Sequence, residues 1–295
     1  MELHLKESLP GNACMAAWQA ERWALEAYFG ERITLDALTG AHGAAASEAW
    51  RDDSGNPAGW MIAQRKGGHR HSVDDVLTAW YALQVSPQVK AHLDLGTGIG
   101  TVGLLILWGM GPEAELTCVE AQDVSYRLLR CNIELNGLSE RVHAWLGDLR
   151  EFSSERKFPL ITGSPPYFPA GSGVIPQDSQ KAHARFELRG DVADYAQAAA
   201  RLLEASGMFV LCFPARQRQR AVDEIAAAGL KIVRWRNVIP RVSLEPLFML
   251  FACGFPEAHA GVCEEEKPFI VREESGELSE AMLAVRRGFG FAAGM

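Results

Sequence analysis

The chain has 295 residues, 48% hydrophobic and 22% charged, which supplies one large or two small globular cores and excludes disordered, collagen-like and mucin-like chains. No run approaches the roughly 18 consecutive apolar residues of a bilayer-spanning helix, and the opening MELHLKESLPGN has neither a secretory apolar run nor a transit-peptide bias, so a soluble cytoplasmic protein with no membrane partner is expected. Six scattered cysteines form no CxxC or Cys/His ligand pair, so no metal site or disulfide framework is expected, and a net charge of −8 (29 Lys+Arg, 37 Asp+Glu) excludes a polycationic field. A nucleic-acid partner would have to be held by local patches, of which the chain has QRKGGHRH (64–71), RQRQR (216–220) and KIVRWRNVIPR (231–241).

In chain order, residues 12–28 place Met15, Trp18, Trp23, Leu25 and Tyr28 among Ala and Glu, the pattern of an amphipathic helix. Residues 39–59 turn to Gly, Ala, Ser, Asp and Pro and read as loop or linker. The division expected is therefore an N-terminal helical extension and linker (1–60), a main domain (61–254) and a C-terminal extension (255–295). Within the main domain, strands are expected at 90–95, 114–120, 141–147, 158–163, 207–213, 230–238 and 246–253. Helices are expected at 100–110, 123–136, 191–205 and 215–228. Five strands alternating with helices predict an α/β fold, a Rossmann-like and mostly parallel seven-stranded sheet; the last two strands, joined by a loop alone, leave the final one antiparallel. The tail suggests a strand at 268–273 and a helix at 278–288.

LDLGTGIGTVGL (93–104) reads as a strand ending near Asp94, a turn carrying Gly96, Gly98 and Gly100, then a helix. Glycines there let the backbone approach a nucleotide-like ligand, and the helix start offers unpaired N–H groups. Alone the pattern is weak, since any tight strand-to-helix turn uses glycine. Glu120 closes the second strand, where a carboxylate can accept both ribose hydroxyls, and Asp148 closes the third. In a doubly wound sheet the carboxyl ends of the strands line one crevice, so the three acids converge; each could otherwise be a helix N-cap or a solvated charge. The fourth strand runs into Ser164-Pro165-Pro166-Tyr167-Phe168. Two prolines fix an extended turn presenting carbonyls, which suits a planar amino group: the Ser164 hydroxyl and the Pro165 carbonyl can each accept one N–H while Tyr167 stacks on the ring.

Together DLGTGIG (94–100), Glu120, Gly147-Asp148 and SPPY (164–167) resemble the class I S-adenosylmethionine-dependent methyltransferases of the amino-group type, over roughly residues 64–254. RKGGHRHSVDDVLTAWY (65–81) and AHARFEL (182–188) resemble more narrowly the bacterial tRNA-valine adenine-N6 methyltransferase family. Two positions depart from that family: Ser164 stands where Asn is usual, a form more familiar from cytosine-N4 DNA methyltransferases, and His71 stands where an aromatic is usual. The resemblance implies S-adenosylmethionine with its methionine end over Gly96–Gly100, its ribose on Glu120 and its adenine edge at Asp148, with Asp94 anchoring the turn or meeting the ammonium through water. It implies tRNA as substrate, with Tyr167 and Phe168 stacking on the target base and Arg185, Arg189 and the 216–220 cluster meeting phosphates, though that cluster equally fits the solvated face of the helix after the fifth strand. The same pocket leaves open a protein glutamine amide or a DNA amine as acceptor, and a non-catalytic binding module is the alternative from another class.

Overall fold

The structure, a computed structural model, describes residues 11–41, 47–51 and 57–292. The opening MELHLKESLP and part of the 39–59 stretch lie outside the described residues. Helix α1 (Gly11–Phe29) leads into short strands β1 (Ile33–Ala37), β2 (Ser47–Arg51), β3 (Pro57–Ala58) and β4 (Met61–Arg65), so the stretch expected to be linker contains strands. There follow α2 (Val73–Val85), β5 (Ala91–Leu95), α3 (Thr101–Met110), β6 (Glu115–Glu120), α4 (Asp123–Leu135) and β7 (Val142–Leu146). The second half runs β8 (Phe158–Gly163), α5 (Ser179–Arg185), α6 (Val192–Leu202), β9 (Leu203–Pro214), α7 (Arg218–Ala227), β10 (Lys231–Ile239) and β11 (Phe248–Gly254). Two-residue strands β12 (Glu264–Glu265) and β13 (Phe269–Ile270) precede α8 (Glu280–Gly288).

The main sheet is mostly parallel, with the seven long strands in the order β10-β11-β9-β8-β5-β6-β7 and the two short ones on its β10 edge. Only β11 runs against its neighbours, inserted between β9 and β10. The chain fills the sheet outward from β5 in one direction (β6, β7) and then from β8 in the other, which makes the β5–β8 boundary the switch point. At such a point the loops leaving two neighbouring strands diverge and open a crevice. The strand period of two sorts the core: Val210 and Cys212 of β9 enter the layer under α2, α3 and α4, while Phe209, Leu211 and Phe213 enter the layer under α6 and α7.

The N-terminal strands are held by side chains. β1 pairs antiparallel with β4, and the outer edge of β4 is bonded by two asparagines one turn apart on α4. The Ala63 N–H donates to Asn132 Oδ1 (2.7 Å), and Met61 exchanges both backbone groups with Asn136 (2.8 Å each). Asn132 Nδ2 also donates to the Ile99 carbonyl at 2.9 Å, tying the hairpin to the glycine turn. Asn132 is fully buried, so truncation strands several backbone groups away from water. Asn132→Ala should cost about 2–4 kcal/mol of stability. Urea unfolding checks it: a loss under about 0.5 kcal/mol would mean that the hairpin is held by apolar packing alone.

Candidate active site

The site begins with the buried carboxylate of Asp94, which the sheet register sets opposite Thr162 on β8. Oδ1 accepts from the Thr162 hydroxyl at 2.6 Å; Oδ2 accepts from the Thr97 hydroxyl at 2.6 Å and from the Gly103 N–H of α3 at 3.1 Å. The Thr162 hydroxyl has a single hydrogen and donates it to Asp94, so its 2.7 Å approach to His92 Nε2 needs that nitrogen protonated and donating. Burial lowers His92 to about 3, keeping the ring neutral, and lifts Asp94 to about 6 against the three bonds that favour its charged form. Of the two roles open to Asp94, the geometry supports the anchor.

The turn above it carries Gly96, Gly98 and Gly100, all at positive φ. A Cβ on Gly96 would fall 1.9 Å from the Tyr195 hydroxyl, whereas one on Gly98 would meet nothing within 4 Å, so the backbone there borders open space. Gly100 caps α3 and packs on Leu129. Glu120 is 4% exposed; its Oε2 accepts from the Gly98 N–H (2.8 Å) and its Oε1 from the Gln122 N–H (2.7 Å). Burial pushes this carboxyl up to about 7. Asp148 follows β7 and is chelated by the Arg150 guanidinium (2.8 and 2.6 Å), which holds it below the usual carboxylate range.

Asp94, Gly96, Gly98, Glu120, Asp148, Ser164 and Pro166 line one cleft at the carboxyl edge of the sheet. Pro165 is buried beside it. Tyr167 is not in the lining: its hydroxyl donates to Asp74 Oδ2 on α2 (2.8 Å), its ring meets Phe213 edge-on, and its carbonyl accepts from Gln217 Nε2. The ring of Phe168 is 47% exposed, packed on Phe186 and held by backbone pairing with Arg185 and Glu187, while the Arg185 side chain faces solvent. Sequence reasoning missed Asp75, Gln180, His183 and Tyr195, which also line the cleft. The Ser72-x-x-Asp75 spacing of a capping box was the signal for Asp75, whose carboxylate accepts from the Ser72 N–H at 2.9 Å. No local pattern announces Gln180, which receives the His69 N–H and donates to Ser125, thereby fixing α5 over the cleft.

The basic patches are largely consumed internally. Arg65 is bound by Glu31 and Asp178, Arg70 by Asp36, Arg220 by Glu187 and Asp191, and Arg234 and Arg236 by Glu266. Arg218 lies over the Trp235 ring at 4.3 Å, and Arg189 Nη1 donates to the Ala121 carbonyl. RQRQR is therefore mostly a structural face rather than an open cluster of cations. Among the described residues no helix is long and apolar enough to cross a membrane, and no group of three or more His, Cys, Asp or Glu is placed to hold a metal ion.

Residues 70–190 match the family model of the methyltransferase small domain, and the sheet order, the glycine turn and the acids around one cleft fit an S-adenosylmethionine-dependent methyltransferase. Among curated proteins the chain is similar to the tRNA1(Val) (adenine(37)-N6)-methyltransferase of Histophilus somni (strain 2336), 25% identical over 72% of this chain and 86% of that one. The tRNA1(Val) (adenine(37)-N6)-methyltransferase of Vibrio cholerae serotype O1 (strain M66-2) is 26% identical over 74% and 87% respectively. Among solved structures, a predicted O-methyltransferase from Agrobacterium tumefaciens superposes with a TM-score of 0.55 at 19% identity, over 75% of this chain and 98% of that one, and shares the fold.

The raised Glu120 carboxyl has a thermodynamic consequence. Between about pH 4.5, its ordinary value, and about pH 7 the native protein holds a proton that the unfolded chain has released, so this group's contribution to stability falls as pH rises through that window and is regained on acidification. Relative to Glu120→Gln, the wild type should gain on the order of 2–3 kcal/mol between pH 8 and pH 5. Urea unfolding at the two pH values tests this; a pH-independent difference would mean that the carboxyl stays ionised in the fold.

Proposed function

We propose that the chain transfers a methyl group to an exocyclic amine, adenine N6 in tRNA, within the cytoplasm. One observation carries the reading: the turn after β8 sets Ser164 and Pro166 on the wall of the cleft that also holds the glycine turn and Glu120. The names of the relatives supply adenine and tRNA. The cleft suits the cofactor on its own terms, since the backbone at Gly98 is open to a close approach and a buried carboxylate stands beside it. Gly96 and Gly98 would pass along the methionine part, Gly100 would shape the turn, Glu120 would receive the ribose hydroxyls and Asp148 the adenine edge.

S-adenosylmethionine supplies a methyl already made electrophilic by its sulfonium. The chain's task is to aim and desolvate a poor nucleophile, because the lone pair of an exocyclic amine is spread into its ring. The Ser164 hydroxyl and the Pro165 carbonyl accept the two amine protons and favour a localised lone pair. Both bonds strengthen as nitrogen gains positive charge, so no base is needed ahead of attack; the methylated nitrogen then releases one proton to water. Tyr167 serves by position: its hydroxyl bond to Asp74 fixes the turn, leaving the exposed Phe168 as the aromatic surface for an unstacked base, with Arg185 at its flank.

Comparing nucleosides by mass spectrometry in tRNA from parent and deletion strains tests the substrate; loss of N6-methyladenosine is expected, and an unchanged profile would return the glutamine or DNA acceptors to the front. Ser164→Ala should lower turnover on the order of 100-fold with cofactor affinity nearly intact. A variant as fast as the parent would remove the hydroxyl from the reaction.

A further inference from the structure

A second cavity, of about 550 Å³, opens on the same edge of the sheet. That size lies inside the roughly 300–1,000 Å³ range of small-ligand pockets. Its floor is apolar: Val73 and Val76 of α2, Val238 at the end of β10, Phe248 at the start of β11, and Val271 and Met282 from the C-terminal extension. Leu244 and Leu247, 54% and 59% exposed, stand beside it. His71 lines both this cavity and the cofactor cleft, so the two adjoin across the start of α2.

Their linings differ in charge. The cofactor cleft is lined by four acids, Asp75, Asp94, Glu120 and Asp148, and by one arginine, Arg189. The second cavity is lined by Arg241, Arg272 and Arg286 and by no Asp or Glu. Arg65 and Arg70 are ion-paired, and Arg234 and Arg236 share the one carboxylate of Glu266, whereas these three form no ion pair among the described residues. Arg286 lies over the Phe291 ring, and its buried Nε has no hydrogen-bond partner. Arg272 gives one N–H to the Gly276 carbonyl and forms no ion pair among the described residues. An apolar floor under three unpaired guanidinium groups matches a nucleotide, with a base to cover the floor and phosphates to meet the rim.

We propose that this cavity receives a nucleotide flanking the methylated adenosine, its base on Val73, Val76 and Met282 and its phosphates on Arg241 and Arg272. The proposal rests on the RNA reading of the cofactor cleft and adds a second binding element, built by the C-terminal extension, that would let the enzyme select an RNA context as well as a base. An apolar protein segment would use the floor and leave the arginines unanswered, so RNA is the occupant favoured.

The test uses the full-length protein and unmodified tRNA from the deletion strain. Arg241 and Arg272 are solvent-facing, so Arg241→Ala/Arg272→Ala should fold normally; Arg32→Ala/Arg156→Ala removes equal charge elsewhere. The cavity variant should bind tRNA on the order of tenfold more weakly, and its salt dependence should flatten by roughly 1.4 in slope, about 0.7 for each single-strand phosphate that the protein no longer neutralises. Cofactor affinity should be unchanged, and the control should match the wild type. With the modified adenosine mapped, a stem-loop carrying an abasic residue on one side of it should raise the wild-type KM. If the wild type methylates tRNA but the cavity variant matches it in affinity and salt slope, this inference is overturned and an apolar protein segment becomes the occupant to seek. If the wild type neither binds nor methylates tRNA, the RNA reading itself fails and takes the inference with it.

Discussion

The Asp94 carboxylate joins three pieces of backbone that would otherwise be independent: its own strand, β8 through Thr162, and the glycine turn with the start of α3 through Thr97 and Gly103. Two of these form opposite sides of the cleft, since the glycine turn lines one wall and β8 runs directly into Ser164 on the other. A methyl transfer tolerates little error in the distance between donor and acceptor. One buried group bonded to both supports supplies that rigidity, and three hydrogen bonds offset part of the cost of burying it, with a neutral histidine behind Thr162.

Charge is used in a similarly local way. A protein of net charge −8 has no broad field to attract RNA, and much of its apparent basic patches is bound up by Glu31, Asp36, Asp178, Glu187, Asp191 and Glu266. Those pairs fasten loops: Arg65 holds the start of α5, and Arg220 holds the segment between α5 and α6. Arg241, Arg272 and Arg286, free of ion pairs among the described residues, gather where residues 271–286 meet α2, which places positive charge beside the cleft.

The sheet was legible because its strands are short apolar runs separated by helices of regular period, and the glycine turn because positive φ at Gly96, Gly98 and Gly100 demands that residue. The convergence of Asp94, Glu120 and Asp148 on one cleft followed from strand order alone. The N-terminal strands were hidden because β1 to β4 follow one another without intervening helices, amid Gly, Ala, Ser and Asp, and because β4 is held from α4 by Asn132 and Asn136, distant in sequence. Tyr167 shows the limit at the site. An aromatic after two prolines reads as a stacking surface, but whether its ring faces the cleft depends on Asp74, more than ninety residues earlier.

That bond gives α2 a central place. Its first turn contributes Asp74 to the acceptor loop, Asp75 to the cofactor cleft, and Val73 and Val76 to the second cavity. The Ser72–Asp75 cap fixes where this turn begins and hence the phase of all four side chains: Val73 and Val76, three residues apart, share one face, while Asp74 and Asp75 are turned to others. A ligand in the second cavity therefore touches the same turn that holds Tyr167 in place. Substrate binding and acceptor-loop geometry then share one rigid element, and Asp75, its carboxyl raised by desolvation and by the neighbouring Asp74, lies at the junction.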